Sequence, residues 1–229
     1  MNPGLILQQG PLSPPGLFGE WAASRGFATE VRHTYQDGAS VELDGRPFVC
    51  CLGCRFSPLD RDEPIVVETT AIVRAAVERE IPVLGLCYGG QVLADVLGGQ
   101  VGTAPEPELG WRTVETHDAA IVPAGPWLEW HYQNFSLPPD AEELARSANG
   151  VQAFVSGPHL GTQFHPESTI EIVSEWANRD RERLEREGFP NAVERLESGR
   201  DQAELARANA FRLFDVFWER AQRAERRDP

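Results

Sequence analysis

The chain has 229 residues, of which 41% are hydrophobic and 24% charged, a composition typical of a globular α/β protein and not of a disordered one. Its formal net charge is −14, with 35 acidic against 21 basic residues. Proteins that bind nucleic acid or anionic membranes need a surplus of cations, so we expect neither partner. The N-terminus lacks the basic region of a signal peptide and no apolar run approaches membrane-spanning length, so a soluble cytoplasmic protein is expected.

The first hundred residues alternate between short apolar runs and stretches of helical periodicity. Strands are predicted within 4–9, 28–35, 44–53 and 82–87, and helices within 17–25, 65–80 and 88–99. Such alternation predicts a mostly parallel sheet with helices on both faces.

From about residue 100 the pattern changes to short predicted strands joined by Pro-rich turns. Two strands around a Gly-Pro turn are predicted within 151–167, followed by a helix over 168–178. The segment 211–221 is typical of an amphipathic helix that docks on the domain. We therefore predict one domain over 1–178 and a helical extension over 179–229 packed on it. The extension begins with arginines that alternate with glutamates, which indicates a solvated helix face.

The segment GLCYGGQ places Cys87 between an apolar run and a helical pattern, with Gly85 and Gly89 on either side. A nucleophile on a sharp strand-to-helix turn needs small neighbours of this kind. The helix N-terminus would favour a thiolate, and the N–H of Tyr88 would point towards a developing oxyanion. The alternative interpretation is a buried cysteine that closes a core strand.

The segment GTQFHPE supplies a histidine, His165, and a carboxylate, Glu167, two residues later. An imidazole can take the thiol proton and later protonate a leaving amine, and a carboxylate can orient that imidazole. Alone, His165 is equally well interpreted as a strand-terminal histidine satisfied by local hydrogen bonds.

Together, GLCYGGQ and GTQFHPE, with His165 78 positions after Cys87, resemble the class I, or triad, glutamine amidotransferases. The chain is most similar to the free-standing GMP-synthase-like group. The resemblance implies a flavodoxin-like three-layer sandwich around a central, mostly parallel sheet.

The resemblance also implies roles for individual residues. Cys87 would attack the side-chain amide of glutamine, His165 would act as base and then as acid, and Glu167 would hold His165. Ammonia would leave, and water would hydrolyse a γ-glutamyl thioester. The further positions that match the family are Gly53 and Tyr88 for the oxyanion hole and Gln91 for glutamine binding.

Two segments depart from the family's pattern. The oxyanion loop normally contains a Gly-Gly-Pro-like stretch, but here Gly53 is followed by Cys54, which we expect to line the site, and by Arg55. The family's Trp-His-x-Asp segment ends here in His131, Tyr132 and Gln133, so an amide replaces the acid that contacts the amino-acid end of glutamine. An α-ammonium group would lose a charged partner, which makes a modified γ-glutamyl substrate an alternative.

The remaining cysteines and histidines do not predict a metal site or a cofactor. Cys51 and Cys54 form a C-x-x-C pair, but a structural zinc site would need a second such pair. A redox pair is an alternative to ordinary buried cysteines. His33, His117 and His159 show no ligand spacing and are interpreted as surface or loop residues.

Four functions are thus considered from the sequence. The leading one is a glutaminase that passes ammonia to a separate synthetase, because the chain has no Gly-rich phosphate loop with which to activate an acceptor itself. The others are a hydrolase of another γ-glutamyl amide, a non-catalytic regulatory subunit of the same fold, and a redox sensor that uses Cys87.

Overall fold

The computed structural model, which describes residues 2–36, 41–197 and 199–225, is built around a mixed sheet of eight strands and a separate pair of strands. The strands are β1 (Gly4–Gln8), β2 (Thr29–His33), β3 (Val49–Cys51), β4 (Val83–Leu86), β5 (Val101–Arg112), β6 (Glu115–Thr116), β7 (Trp127–Phe135), β8 (Glu142–Ser147), β9 (Gly150–Ser156) and β10 (His159–Thr162). The helices are α1 (Gly16–Ser24), α2 (Pro64–Glu78), α3 (Tyr88–Val96), α4 (Ile170–Arg179), α5 (Arg181–Arg186), α6 (Ala192–Glu197) and α7 (Arg200–Glu225).

The large sheet has a parallel and an antiparallel half. Its strand order is β2-β1-β3-β4-β10-β9-β8-β6, and the first five strands are parallel. The pairs β10–β9, β9–β8 and β8–β6 are antiparallel. Parallel strands end at the same edge of a sheet, so the chain following β3, β4 and β10 meets in one place. The twelve-residue β5 pairs with β7 outside this sheet.

Helices cover both faces of the sheet because its strands are apolar on both sides. Along β1, Ile6 faces the core shared with α1 and α7, whereas Leu5 and Leu7 face the core shared with α2 and α3. Phe214 of α7 lies edge-on to Phe18 of α1, with ring centroids 5.2 Å apart, and both are fully buried. The C-terminal helix therefore completes one of the two cores.

Most elements predicted from periodicity are present within two or three residues of the predicted bounds, and the predicted flavodoxin-like fold class is confirmed. Beyond residue 100, the prediction of short strands was wrong for β5, which continues through Pro105 and Pro107 because it is irregular there. The division into 1–178 and 179–229 stays a prediction.

His159 was predicted to be a surface or loop residue, and this was wrong. It lies in β10 with 5% of its surface exposed, and its Nδ1 accepts a hydrogen bond from the N–H of Val83 at 3.2 Å. Burial lowers the pKa of His159 to about 4, so the ring is neutral and acts as an acceptor in the sheet.

Among the helices of the described residues, none combines the length and the apolar character needed to cross a bilayer.

Candidate active site

Cys87 occupies a strained turn between β4 and α3. Its φ of 52° and ψ of −108° lie in a region that residues with a side chain rarely adopt. The chain can turn this sharply because its neighbours are glycines: a Cβ on Gly85 would overlap the backbone of Gly89, and one on Gly89 would overlap the carbonyl oxygen of Cys51. The predicted strand–turn–helix is thus present, with the thiol at the N-terminus of α3.

His165 lies beside Cys87, three residues beyond the end of β10. Its Nδ1 is 2.8 Å from Oε1 of Glu167, and both side chains are 4% exposed. The ring packs edge-on against Trp176, with centroids 5.0 Å apart. Burial lowers the pKa of His165, but the negative charges of Cys87 and Glu167 outweigh it and raise that pKa well above the usual value. Since Nδ1 faces Glu167, Nε2 is left to exchange a proton with the thiol.

The backbone of Glu167 is held from behind. The N–H of Leu17 donates to the carbonyl of Glu167 at 2.8 Å, and a Cβ on Gly16 would overlap that carbonyl oxygen. Gly16 itself has a φ of 49°, which favours glycine. The start of α1 therefore fixes the backbone that carries the His165–Glu167 pair.

The two predicted oxyanion-hole residues flank the thiol. Tyr88 is the first residue of α3, so its N–H has no partner within the helix. Gly53 follows β3, and a Cβ at this position would lie 2.8 Å from Cε1 of His165. Only glycine allows the loop and the imidazole to approach this closely.

A hydrogen-bonded chain of amides borders the other side of the thiol. Nε2 of Gln163 donates to Sγ of Cys87 at 3.8 Å, and Nε2 of Gln91 donates to Oε1 of Gln163 at 3.2 Å and to the carbonyl of Gln133 at 3.3 Å. Nδ1 of His131 donates to the same carbonyl at 2.8 Å. The backbone of Gln133 is therefore held by two donors.

A cavity of about 480 Å³ opens above Cys87. The structure brings together eight of the predicted site residues in its lining, and the ninth, Glu167, lies behind His165. The eight are Gly53, Cys54, Cys87, Tyr88, Gln91, His131, Gln133 and His165. Their proximity is a structural fact, and the role of each stays a prediction.

Cys54 lines this cavity as expected, whereas Cys51 is fully buried in β3. All four cysteines are free. Burial raises the pKa of the Cys54 thiol to about 11, so this thiol is protonated near neutral pH. That environment disfavours the redox interpretation of the C-x-x-C pair.

Sequence reasoning missed the charged rim of the cavity. Arg179, Asp180 and Arg183 line it, although this run was interpreted as a solvated helix face. Asp180 pairs with Arg179 at 2.8 Å and with Arg183 at 3.0 Å. The alternation of charges along this run predicts that its side chains are exposed to solvent. It does not predict that the C-terminal end of α4 lies at the mouth of the cavity.

Sequence reasoning also missed a buried carboxylate–histidine cluster that consists of Glu108, Glu129 and His131. Nε2 of His131 is 3.2 Å from Oε2 of both glutamates. Burial lowers the pKa of His131, but the two carboxylates outweigh it and raise that pKa to about 10. Burial also raises the pKa of Glu129 more than His131 lowers it, whereas the pKa of Glu108 is lowered because His131, Ser147 and Asn149 outweigh its burial.

Comparison with known proteins identifies a family. The family model described as glutamine amidotransferase class-I matches residues 57–174, more than half of the chain. The match includes Cys87, His165 and Glu167 and begins after the loop that contains Gly53.

Curated relatives align over a shorter region. A GMP synthase [glutamine-hydrolyzing] of Thermomicrobium roseum is 44% identical over 97 residues, which are 39% of this chain and 18% of that protein. One subunit of the GMP synthase [glutamine-hydrolyzing] of Ignicoccus hospitalis is 40% identical over 95 residues, which are 38% of this chain and 50% of that protein. The alignments thus span at most half the length of these two relatives.

A solved structure matches over nearly the whole fold. The glutamine amido transferase from Methylobacillus flagellatus superposes with a TM-score of 0.85 at 29% identity, covering 96% of this chain and 95% of that one. The family model and this superposition agree with the geometry around Cys87, and the chain belongs to the class I glutamine amidotransferases.

Proposed function

We propose that the protein hydrolyses the side-chain amide of glutamine through a γ-glutamyl thioester on Cys87 and releases ammonia for a partner enzyme. The observation that carries this proposal is the arrangement of Cys87 in a strained turn beside a buried His165–Glu167 pair. The raised pKa of His165 favours its imidazolium form, which can donate the proton that the departing amide nitrogen needs.

In the first step, Sγ of Cys87 attacks the amide carbon and the carbonyl oxygen becomes an oxyanion. The N–H groups of Gly53 and Tyr88 stabilise that oxygen. Nε2 of the His165 imidazolium then protonates the amide nitrogen, and ammonia leaves as the thioester forms. In the second step His165 takes a proton from water, which attacks the thioester and releases glutamate. Glu167 keeps the imidazole in the tautomer that both steps need.

An ammonia-accepting synthetase as partner is part of the proposal. The relative from Ignicoccus hospitalis is named as one subunit of a GMP synthase, which supports a separate partner protein for chains of this type. The described residues of this chain form one fold around the Cys87 cavity. In this proposal the partner enzyme, and not this chain, binds the molecule that accepts the ammonia.

A second candidate substrate is a γ-glutamyl amide other than free glutamine. Gln133 favours it, because a neutral amide lies where the family has the acid that contacts the amino-acid end of glutamine. Among the described residues that line the cavity, Asp180 is the only carboxylate, and it is already paired with two arginines. The site therefore offers a free α-ammonium group little negative charge, and the cavity has room for a larger molecule.

Replacement of Gln133 by aspartate is expected to raise kcat/KM for free glutamine by about tenfold, because a carboxylate would pair with the α-ammonium group. Glutamate release from glutamine and from γ-glutamyl methylamide is to be measured for wild type and variant, with Gln133→Asn as the neutral control. If wild type prefers glutamine and Gln133→Asp gains nothing, the second candidate is wrong. If neither protein releases glutamate from any of these amides, the hydrolase proposal itself is wrong.

The pH profile reports on the His165–Glu167 pair. The imidazolium is needed to protonate the departing amide nitrogen, so activity falls as pH rises through the pKa of His165, which is raised in this protein. Glu167→Gln removes one cause of that increase, and the alkaline limb of kcat/KM is expected to move to lower pH by at least about one unit. Glu143→Gln, beside the exposed His117, is the matched control. An alkaline limb at the same pH in Glu167→Gln and wild type would contradict this role.

A further inference from the structure

We propose that the carboxylate–histidine cluster of Glu108, Glu129 and His131 is a binding site for one divalent transition-metal ion, with Zn²⁺ the best fit. The order of residues along the chain did not predict this site, because its glutamate and histidine ligands are brought together only by the pairing of β5 with β7. Glu108 lies directly opposite His131 in the register, and Glu129 is two residues from His131 on the same face of β7.

The separations between the ligand atoms suit a small tetrahedral cation. The nitrogen and carboxylate ligand atoms all lie within 4.8 Å of one another, and both glutamates place Oε2 3.2 Å from Nε2 of His131. Zinc bonds to histidine nitrogen and carboxylate oxygen at about 2.0–2.2 Å, so two ligands at a tetrahedral angle are about 3.3–3.6 Å apart. The cluster thus has nearly the nitrogen–oxygen separation that a shared zinc ion requires.

Several atoms of the cluster lack a hydrogen-bond partner although they are fully buried. These are Nε2 of His131 and both carboxylate oxygens of Glu129. At 3.2 Å the oxygens are close enough to accept, so it is the direction of Nε2 that misses them. A proton on Nε2 therefore makes no well-aligned hydrogen bond to either carboxylate, whereas a cation placed between Nε2 and the two Oε2 atoms would interact with all three groups. Because a buried carboxylate without hydrogen bonds is costly, these orphaned atoms point to a bound cation.

The groups around the cluster hold the ligands in the form a metal needs. Nδ1 of His131 donates to the carbonyl of Gln133 at 2.8 Å, so Nε2 is the ring nitrogen that would bind the metal once its proton is displaced. Oε2 of Glu108 accepts from Ser147 at 3.0 Å and from Gln152 at 2.8 Å. The ion would displace the proton of Nε2, and the neutral imidazole and two carboxylates would then carry a charge of −2, which a divalent ion cancels inside a buried site.

The ion would position the wall of the active-site cavity. His131 and Gln91 both donate to the carbonyl of Gln133, and Gln91 continues through Gln163 to the thiol of Cys87. A cation on Nε2 of His131 would therefore fix β7 where it borders the substrate. Cys87 and His165 perform the chemistry, and the metal stabilises the strand beside them.

The test is metal binding by the full chain after removal of metals by a chelator. Zn²⁺ is titrated against a competing chromophoric chelator, and Co²⁺ is followed by its visible absorption, which distinguishes tetrahedral from octahedral coordination and shows whether thiolates are ligands. We expect one equivalent, tetrahedral Co²⁺ without thiolate bands, and at least about 100-fold weaker Zn²⁺ binding by Glu129→Gln. Glu143→Gln, which alters a glutamate that pairs with the exposed His117 away from the cluster, should bind like wild type.

Two further variants allow the metal-binding test to be interpreted even if Glu129→Gln does not fold. If Glu129→Gln does not fold, Glu108→Gln replaces it, and Zn²⁺ is expected to raise the Tm of wild type but not of this variant. Unchanged Zn²⁺ binding in both glutamate variants would overturn the proposal. Loss of Zn²⁺ binding in Cys87→Ala instead would also overturn it and would place the metal on that thiol. A wild-type chain that binds no Zn²⁺ or Co²⁺ would also overturn it, and would leave the proposed hydrolase function untouched.

Discussion

The variant His165→Asn is expected to release ammonia at least about 10⁴-fold more slowly than wild type while it keeps its fold. Asparagine can neither accept the thiol proton nor protonate the departing amide nitrogen. Because both steps of the proposed reaction use Nε2 of His165, the loss should appear in kcat at saturating substrate. Glutamate and ammonia release by the purified variant, with circular dichroism as the check of its fold, measures the effect.

The matched control for this variant is His117→Asn. His117 is partly exposed and pairs with Glu143 at 3.0 Å, outside the cavity lining, so its replacement should leave turnover within about twofold of wild type. A His165→Asn enzyme with more than about a tenth of wild-type activity would show that another group transfers the proton.

The second large effect concerns stability. Gly89→Ala is expected to lower the free energy of unfolding by about 3 kcal/mol or more, because its Cβ would overlap the carbonyl oxygen of Cys51 in the adjacent strand. Relief of that overlap would move α3 away from β3 and displace Cys87, so activity should fall as well. Urea unfolding followed by circular dichroism measures the change.

Gly102→Ala is the matched control for the glycine effect. Gly102 lies in β5, and the nearest atom to a Cβ there is Oδ1 of Asn134 at 3.9 Å, an ordinary contact. This variant should unfold within about 1 kcal/mol of wild type. Equal stabilities for the two alanine variants would mean that α3 does not pack on β3 as closely as the structure has it.

Local sequence signals were sufficient for the fold and for the catalytic segments. The segment GLCYGGQ encodes its own conformation, since glycines at 85 and 89 are required by direct backbone contacts. The short spacing of His165 and Glu167 likewise brings the two side chains together without any long-range information. Parallel strands then place Cys87 and His165 at one sheet edge, which the alternation of elements already implied.

Features that depend on pairing between distant segments could not be predicted. The cluster of Glu108, Glu129 and His131 exists because β5 and β7 pair in one register, and periodicity does not specify a register across a gap of this length. His159 was interpreted as a surface or loop residue because it shows no ligand spacing, yet it is buried in the sheet, where its ring accepts a hydrogen bond from the N–H of Val83. The position of Arg179 and Arg183 at the cavity rim likewise depends on where the end of α4 lies in the folded chain, which the local sequence does not specify.

Ammonia release from glutamine by wild type, Cys87→Ala and Cys54→Ala tests the central claim most directly. The two cysteines line the same cavity, so the pair separates a nucleophile from a thiol that merely lies nearby. We predict that wild type and Cys54→Ala release ammonia at comparable rates and that Cys87→Ala is slower by at least about 10⁴-fold. A Cys87→Ala enzyme that matches wild type, or a loss confined to Cys54→Ala, would contradict the assignment of Cys87 as the nucleophile.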